Sequence, residues 1–221
     1  MSKSQDSGTP WSPDGFVIFR GVFDKQTVGR LQALLDEQRA AGTPSRQVLY
    51  THLPPAVPAR SQEGMAALME QWLNPHACAA RLSTLPIAEK LREWVRSLLQ
   101  AEPVLFQDLL MSKNPGHKPF PFHQDFPFWP VAEPAGGVLW APLDPVDEEA
   151  GGLTVACGSH LAGIGPPIDL HSGGAQPGFT ATVETPLRFA ALTPVLDPGD
   201  AIWLHPLLWH RSGRNRSGRQ R

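Results

Sequence analysis

Cysteine is scarce in this 221-residue chain, which has only Cys78 and Cys157. Two cysteines give no disulfide framework, which excludes the stapled small-domain class and points to a reducing compartment, the cytoplasm. Long apolar runs are also missing, so no segment is expected to span a bilayer. The opening stretch MSKSQDSGTPWSPDG has no apolar block and is not a secretory signal. An excess of one charge is absent too: 19 Lys and Arg face 21 Asp and Glu, for a net charge of −2. That balance gives no reason to expect nucleic acid or an anionic membrane as the main partner. Internal repeats and low-complexity tracts are lacking apart from a basic tail. Gly and Pro are plentiful, with 20 and 24 residues, yet short of the share that signals disorder. The length suits one well-buried core, so a single domain over 14–221 behind a mobile leader, 1–13, is expected.

The pattern along the chain changes near Ala101. Before it, GFVIFRGVF (15–23) is β-branched and aromatic and predicts a short strand. Asp24 is placed to cap a helix running to about Ala41, with Val28, Leu31, Leu34 and Leu35 on one face. Residues 42–60 read as loop, with Pro44, Pro54, Pro55 and Pro58, and a second helix is expected from Ser61 to Leu73. A third begins with Pro86 in its first turn and repeats Ile87, Leu91, Trp94, Val95, Leu98 and Leu99 at helical spacing. After Ala101 come short strand-like runs: VLFQDLLMSK (104–113), GGVLWAPL (136–143), GLTVACGS (152–159), FTATVET (179–185) and GDAIWLH (199–205). Helices first and strands second, without βαβ alternation, predict an α+β chain: an antiparallel sandwich or barrel with helices on one face.

FHQDFPFWP (122–130) carries the chemistry. A carboxylate crowded by aromatics is costly unless something pairs with it. If the stretch is extended, His123 and Asp125 share a face and can chelate one ion. A third ligand is needed, and GDAIWLHPLLWHRSG offers His205 or His210. Two His and one carboxylate form the facial triad of non-haem Fe(II) oxygenases. Read alone, HxD is more often a turn or a surface pair, and the arginines of HRSGRNRSGRQR (210–221) are more often a solvated basic tail. Behind a metal-ligand His, one Arg could instead hold an anionic cosubstrate.

Three blocks together carry a resemblance: HQD at 123–125, GGLTVACGSH at 151–160, and HPLLWHRSGRNRS ending in Arg221. With DGFVIFRGVF and LLMSKNPG, the chain resembles the phytanoyl-CoA dioxygenase family of Fe(II)- and 2-oxoglutarate-dependent oxygenases over most of its length. The resemblance implies a double-stranded β-helix (jelly-roll, cupin-like) core with N-terminal helices on one face. It implies His123, Asp125 and His210 as iron ligands, His205 being a non-ligand, and Arg221 as the grip on the far carboxylate of 2-oxoglutarate, with Arg219 less well spaced. It also implies Ser212, Gln124, Trp140 and Leu109 as cosubstrate neighbours. Lys113 matches a lysine after the second core strand and joins Phe126, Phe128 and Trp129 as substrate-pocket candidates. Since the family continues past this Arg into a last core strand, that strand is expected to be missing from residues 14–221.

What the resemblance implies chemically is hydroxylation of a small organic molecule, using O₂ and giving succinate and CO₂, and the aromatics around the triad point to an apolar one. Related halogenases replace the carboxylate ligand with a small residue, so Asp125 favours hydroxylation. Two other readings stand beside it: a non-catalytic jelly-roll binding module, and a cupin-like metalloenzyme of other chemistry. Cys157 and Trp94 read as core, His160 as a turn residue, and His52, His76, His117 and His171 as loop residues. Substrate identity and oligomeric state are not legible.

Overall fold

Strand β1 (Phe16–Phe19) shows how the sequence builds the layers, because side chains alternate along a strand. Phe16 and Ile18 pack on the central core of Leu153, Val155, Leu196, Ile202, Leu204 and Leu208. Phe19 faces the other way and joins Trp94, Val95, Leu98 and Trp203. One strand therefore serves the inside of a sandwich and the helix packed on its outside.

The computed structural model describes residues 12–40, 70–73, 89–104, 109–117, 119–166 and 184–221. Helix α1 (Lys25–Ala40) starts at Asp24, whose Oδ1 accepts the Thr27 N–H at 2.7 Å. That bond satisfies one of the orphan donors of the first turn. The buried face of α1 sets Leu34 and Leu35 against Leu110 of β3 (Leu109–Ser112). Helix α2 (Glu89–Leu99) lays Trp94, Val95 and Leu98 on Trp203, with the two indoles edge to face at 5.6 Å.

Strand β2 (Glu70–Leu73) pairs antiparallel with β3, Glu70 opposite Ser112 and Leu73 opposite Leu109. This corrects the helix expected to end at Leu73. EQWL has no strong preference of its own, and pairing with β3 decides its state. Residues 61–69 of that expected helix lie outside the described residues, as do the leader to residue 11, the loop at 42–60, the start of the third helix and residues 179–183. Thr185, the end of the FTATVET run, opens a 3₁₀ turn (Thr185–Arg188) instead of closing a strand.

Two further sheets face each other across the central core. One has the order β1, β8 (Ala201–Leu204), β5 (Val138–Trp140). The other runs β4 (Phe120–His123), β9 (His210–Ser212), β6 (Leu153–Ala156), β7 (Ala191–Leu192). Every strand pairing is antiparallel. Leu153 and Val155 of β6 meet Ile202 and Leu204 of β8, all 5% exposed or less. This is the jelly-roll sandwich expected, with helices on its outer faces. Asp200, just ahead of β8, clasps the β1 end of the first sheet. Its Oδ1 accepts the Gly21 N–H, and its Oδ2 accepts the Asp197 N–H and Arg20 Nη1. Among the described residues no helix is long and apolar enough to cross a membrane.

Candidate metal centre

His123 and His210 face each other across the β4–β9 ladder as register partners. Their imidazole centroids are 4.1 Å apart. Asp125 completes the group: its Oδ1 is 3.5 Å from His123 Nε2, and its Oδ2 is 3.6 Å from His210 Nε2. One ligand atom from each of the three residues falls within 4.8 Å of the others. The residues expected to converge do so, but by a different path. β4 ends at His123, and Asp125 takes an αR conformation (φ −78°, ψ −37°) at the start of the 3₁₀ turn Phe126–Phe128. The carboxylate reaches the imidazoles from a turn, not from the same face of an extended strand.

Backbone carbonyls fix both imidazoles. His123 Nδ1 lies 3.0 Å from Pro121 O, and His210 Nδ1 lies 2.9 Å from Leu208 O. A carbonyl oxygen only accepts, so each Nδ1 carries a proton and each Nε2 is left facing Asp125. Burial, reinforced by the neighbouring His123, pushes His210 down to about 4, so it is neutral at neutral pH. Burial pushes the Asp125 carboxyl up, but the two imidazoles outweigh it and hold it below its ordinary value. The site therefore presents two imidazole nitrogens and one carboxylate, a donor set that suits a divalent first-row ion and leaves coordination positions open.

One strand step along β9 from His210 stands Ser212, on the same face and about 6–7 Å further on. Lys113 Nζ donates to Ser212 Oγ at 3.0 Å and to Gly213 O. Arg221 lies alongside. Its main chain exchanges hydrogen bonds with that of Lys113, and its guanidinium donates from Nε to Ala150 O at 2.7 Å and also to Gly151 O. Burial and the Arg221 charge push Lys113 down to about 7, and burial pushes Arg221 down to about 10. Arg219, the other candidate, is exposed and lines one cleft together with Arg221, Asp144 and Gln220.

The remaining expected residues divide. Leu110 faces α1, so Leu109 lies on the opposite face of β3, the face that continues to Lys113. Trp140 is on the inner face of β5 against the central core, so it is as much packing as pocket wall. Phe126, Phe128 and Trp129 follow Asp125 on the 3₁₀ turn and just past it, with the Phe126 N–H bonded to Pro206 O at 3.2 Å. Gln124, expected beside the cosubstrate, turns its carboxamide to two loops. It is 2% exposed, and its carboxamide is consumed by Gly163 O, Leu207 O and the Gly165 N–H. Between His123 and Asp125, its side chain clasps two loops. His205 stays out of the triad: its Nδ1 accepts the Leu207 N–H, and its ring lies 4.8 Å from that of His160. Cys157 packs on the central core, and burial pushes its thiol up, as for a core residue.

Sequence reasoning assigned no role to Asn215, although the N-x-S of the third block was visible. Asn215 is fully buried and donates to Lys113 O at 2.8 Å and Arg219 O at 2.7 Å. Its Oδ1 accepts from Ser217 N and Oγ. It folds the tail back so that Arg221 meets Lys113.

Known proteins give the same outline. The bovine (Bos taurus) protein named "Phytanoyl-CoA dioxygenase, peroxisomal" is 28% identical over 144 residues, 62% of this chain and 42% of its own length. The matched stretch is thus less than half of that relative. Among solved structures, the carbocyclase SnoK from nogalamycin biosynthesis, described as non-heme and alpha ketoglutarate dependent, superposes with a TM-score of 0.69 at 16% identity, covering 95% of this chain and 77% of its own. EctD from S. alaskensis, solved with 2-oxoglutarate and 5-hydroxyectoine, gives 0.62 at 21% identity, covering 99% and 76%. At such identities the likeness shows the shared fold. The family model described as "Phytanoyl-CoA dioxygenase (PhyH)" matches residues 11–221, nearly the whole length, and the chain belongs to that family.

Proposed function

We propose that this protein is a non-haem Fe(II)/2-oxoglutarate-dependent dioxygenase that hydroxylates a small, apolar organic molecule in the cytoplasm. The observation that carries the reading is the His123–Asp125–His210 group, with both Nε2 atoms turned to one carboxylate. When bound, iron with 2-oxoglutarate supplies the oxidising chemistry, splitting O₂ so that one atom enters succinate and the other a substrate C–H bond, with release of CO₂.

The chain's own residues position and shield. His123, Asp125 and His210 would hold the metal, and the Pro121 and Leu208 carbonyls fix the orientation of the two imidazoles. Ser212, one strand step from His210, and Arg221 would hold the far carboxylate of the cosubstrate. Phe126, Phe128, Trp129 and Leu109 supply apolar surface, which excludes water and suits an apolar substrate. The ligating carboxylate of Asp125 favours hydroxylation.

The test is oxygen-dependent succinate formation by protein loaded with Fe(II) and supplied with 2-oxoglutarate, screened against apolar small molecules. Decarboxylation that rises with one of them is expected. No decarboxylation, coupled or uncoupled, in protein shown to hold iron overturns the proposal.

A further inference from the structure

The turn between β8 and β9 serves the triad through three successive carbonyls. Pro206 O accepts the Phe126 N–H at 3.2 Å, just past Asp125. Leu207 O accepts from the Gln124 carboxamide at 2.6 Å, just before Asp125. Leu208 O faces His210 Nδ1 at 2.9 Å. One short turn thus brackets Asp125 and aims His210, although it contributes no ligand itself. Its donors run the other way. The Leu208 N–H donates to His205 O at 2.9 Å, and the Leu207 N–H donates to His205 Nδ1 at 3.0 Å. Pro206 has no N–H, so the ring and main chain of His205 take both donors of the turn.

A planar trans peptide points its N–H and its C=O in opposite directions. The Leu207 N–H and Pro206 O are the two ends of one such unit. Fixing the first on the His205 ring therefore aims the second at the backbone that carries Asp125. His205 is itself secured from the far side. Its N–H donates to Gly15 O at 2.9 Å, and its ring lies 4.8 Å from that of His160, which packs on the Gly15 backbone. Burial, with His160 adding to it, pushes His205 down to about 4, so the ring is neutral at neutral pH and Nδ1 can accept.

We propose that His205 is a positioning residue for the metal centre: by taking the Leu207 N–H on Nδ1, it orients the peptide whose carbonyl fixes Asp125. This rests on the reading of His123, Asp125 and His210 as a metal group. The ring accepts from an amide two residues further on, the spacing at which an Asn side-chain oxygen also accepts from the backbone. An asparagine in this place should keep the turn, and a ring without nitrogen should lose it.

The test compares His205→Asn with His205→Phe, using Co(II) as the probe. Calorimetry gives its affinity, and its visible absorption reports the coordination geometry. His205→Phe is expected to weaken Co(II) binding at least about tenfold and to change the spectrum. His205→Asn should stay within about threefold and keep the spectrum of the unaltered protein, a rescue that separates the acceptor from mere bulk. Equal losses in the two variants overturn the proposal, as does unchanged Co(II) binding in His205→Phe. Should His205→Phe not fold, His205→Asn decides: retained affinity and spectrum support the proposal, and their loss overturns it. The unaltered chain gives an independent reading by ¹⁵N NMR at neutral pH. His205 Nδ1 should be unprotonated there, and a protonated Nδ1 overturns the proposal. Failure of the metal reading itself looks different, because the unaltered protein would then take up no Co(II).

Discussion

His210 sits directly across the ladder from His123, and Asp125 offers a separate oxygen to each of them. The separations of 3.5 and 3.6 Å are longer than charge-assisted hydrogen bonds. With His210 held neutral by burial, the three residues do not neutralise one another as an ordinary ion pair would. Asp125→Ala and His210→Ala should therefore each cost more metal affinity than the roughly 10- to 100-fold typical of losing an outer partner. Both should reduce succinate formation to background with little loss of thermal stability. Mn(II) calorimetry and melting curves measure the two effects separately.

Gln124→Ala should behave in the opposite way. It removes the acceptor for the Gly165 N–H and the donor to Gly163 O and Leu207 O, all in a buried setting. The expected cost is about 2–4 kcal/mol, read by denaturant unfolding. Metal affinity should fall as well, by roughly tenfold, because the loosened backbone also carries Asp125.

The Lys113 ammonium gives stability a pH dependence of definite sign. Its value falls from 10.5 when unfolded to about 7 in the fold, with burial the main cause and Arg221 adding to it. Between these two values the unfolded chain binds the extra proton, so stability rises with pH from about 7 towards 10. Without added cosubstrate, melting temperature followed across that range should climb in the unaltered protein. The rise should be smaller in Lys113→Met.

Asp200 works in the acid range. Burial pushes its carboxyl up, but bonds from Asp197, Gly21 and Arg20 outweigh that and hold it below 3.8. The stability it contributes is present above that value and lost as pH falls through the lowered one. Asp200→Asn retains the shape but not the charge and should cost about 1–3 kcal/mol at neutral pH, measured by urea unfolding.

How much of this was legible depended on periodicity. β1, α2 and β8 were readable because their apolar residues repeat at intervals of two or near four, and the matching faces are buried. The strand at Glu70–Leu73 was not, since its state depends on β3, distant in sequence. His123, Asp125 and His210 were found from residue type and motif order, although the route to convergence was misjudged: alternation predicts a strand at Asp125, and the chain turns there. Gln124 and Asn215 were visible as motif letters but mute as to role. A carboxamide bonds to whatever backbone surrounds it, and only the fold reveals which loops those are.

The irregularity in β4 has a consequence for the imidazole it carries. Phe120 pairs with Ser212 and His123 with His210, so one more residue is spent on β4 than on β9. Pro121 falls in that surplus, where its missing N–H deprives the sheet of nothing and its carbonyl is left for His123 Nδ1. A flawless ladder would have claimed that oxygen for β9 and freed the imidazole to rotate. The flaw in the sheet is thus what aims the His123 ring, and repairing it, by trimming one residue and replacing the proline, would make a tidier sheet and a looser imidazole.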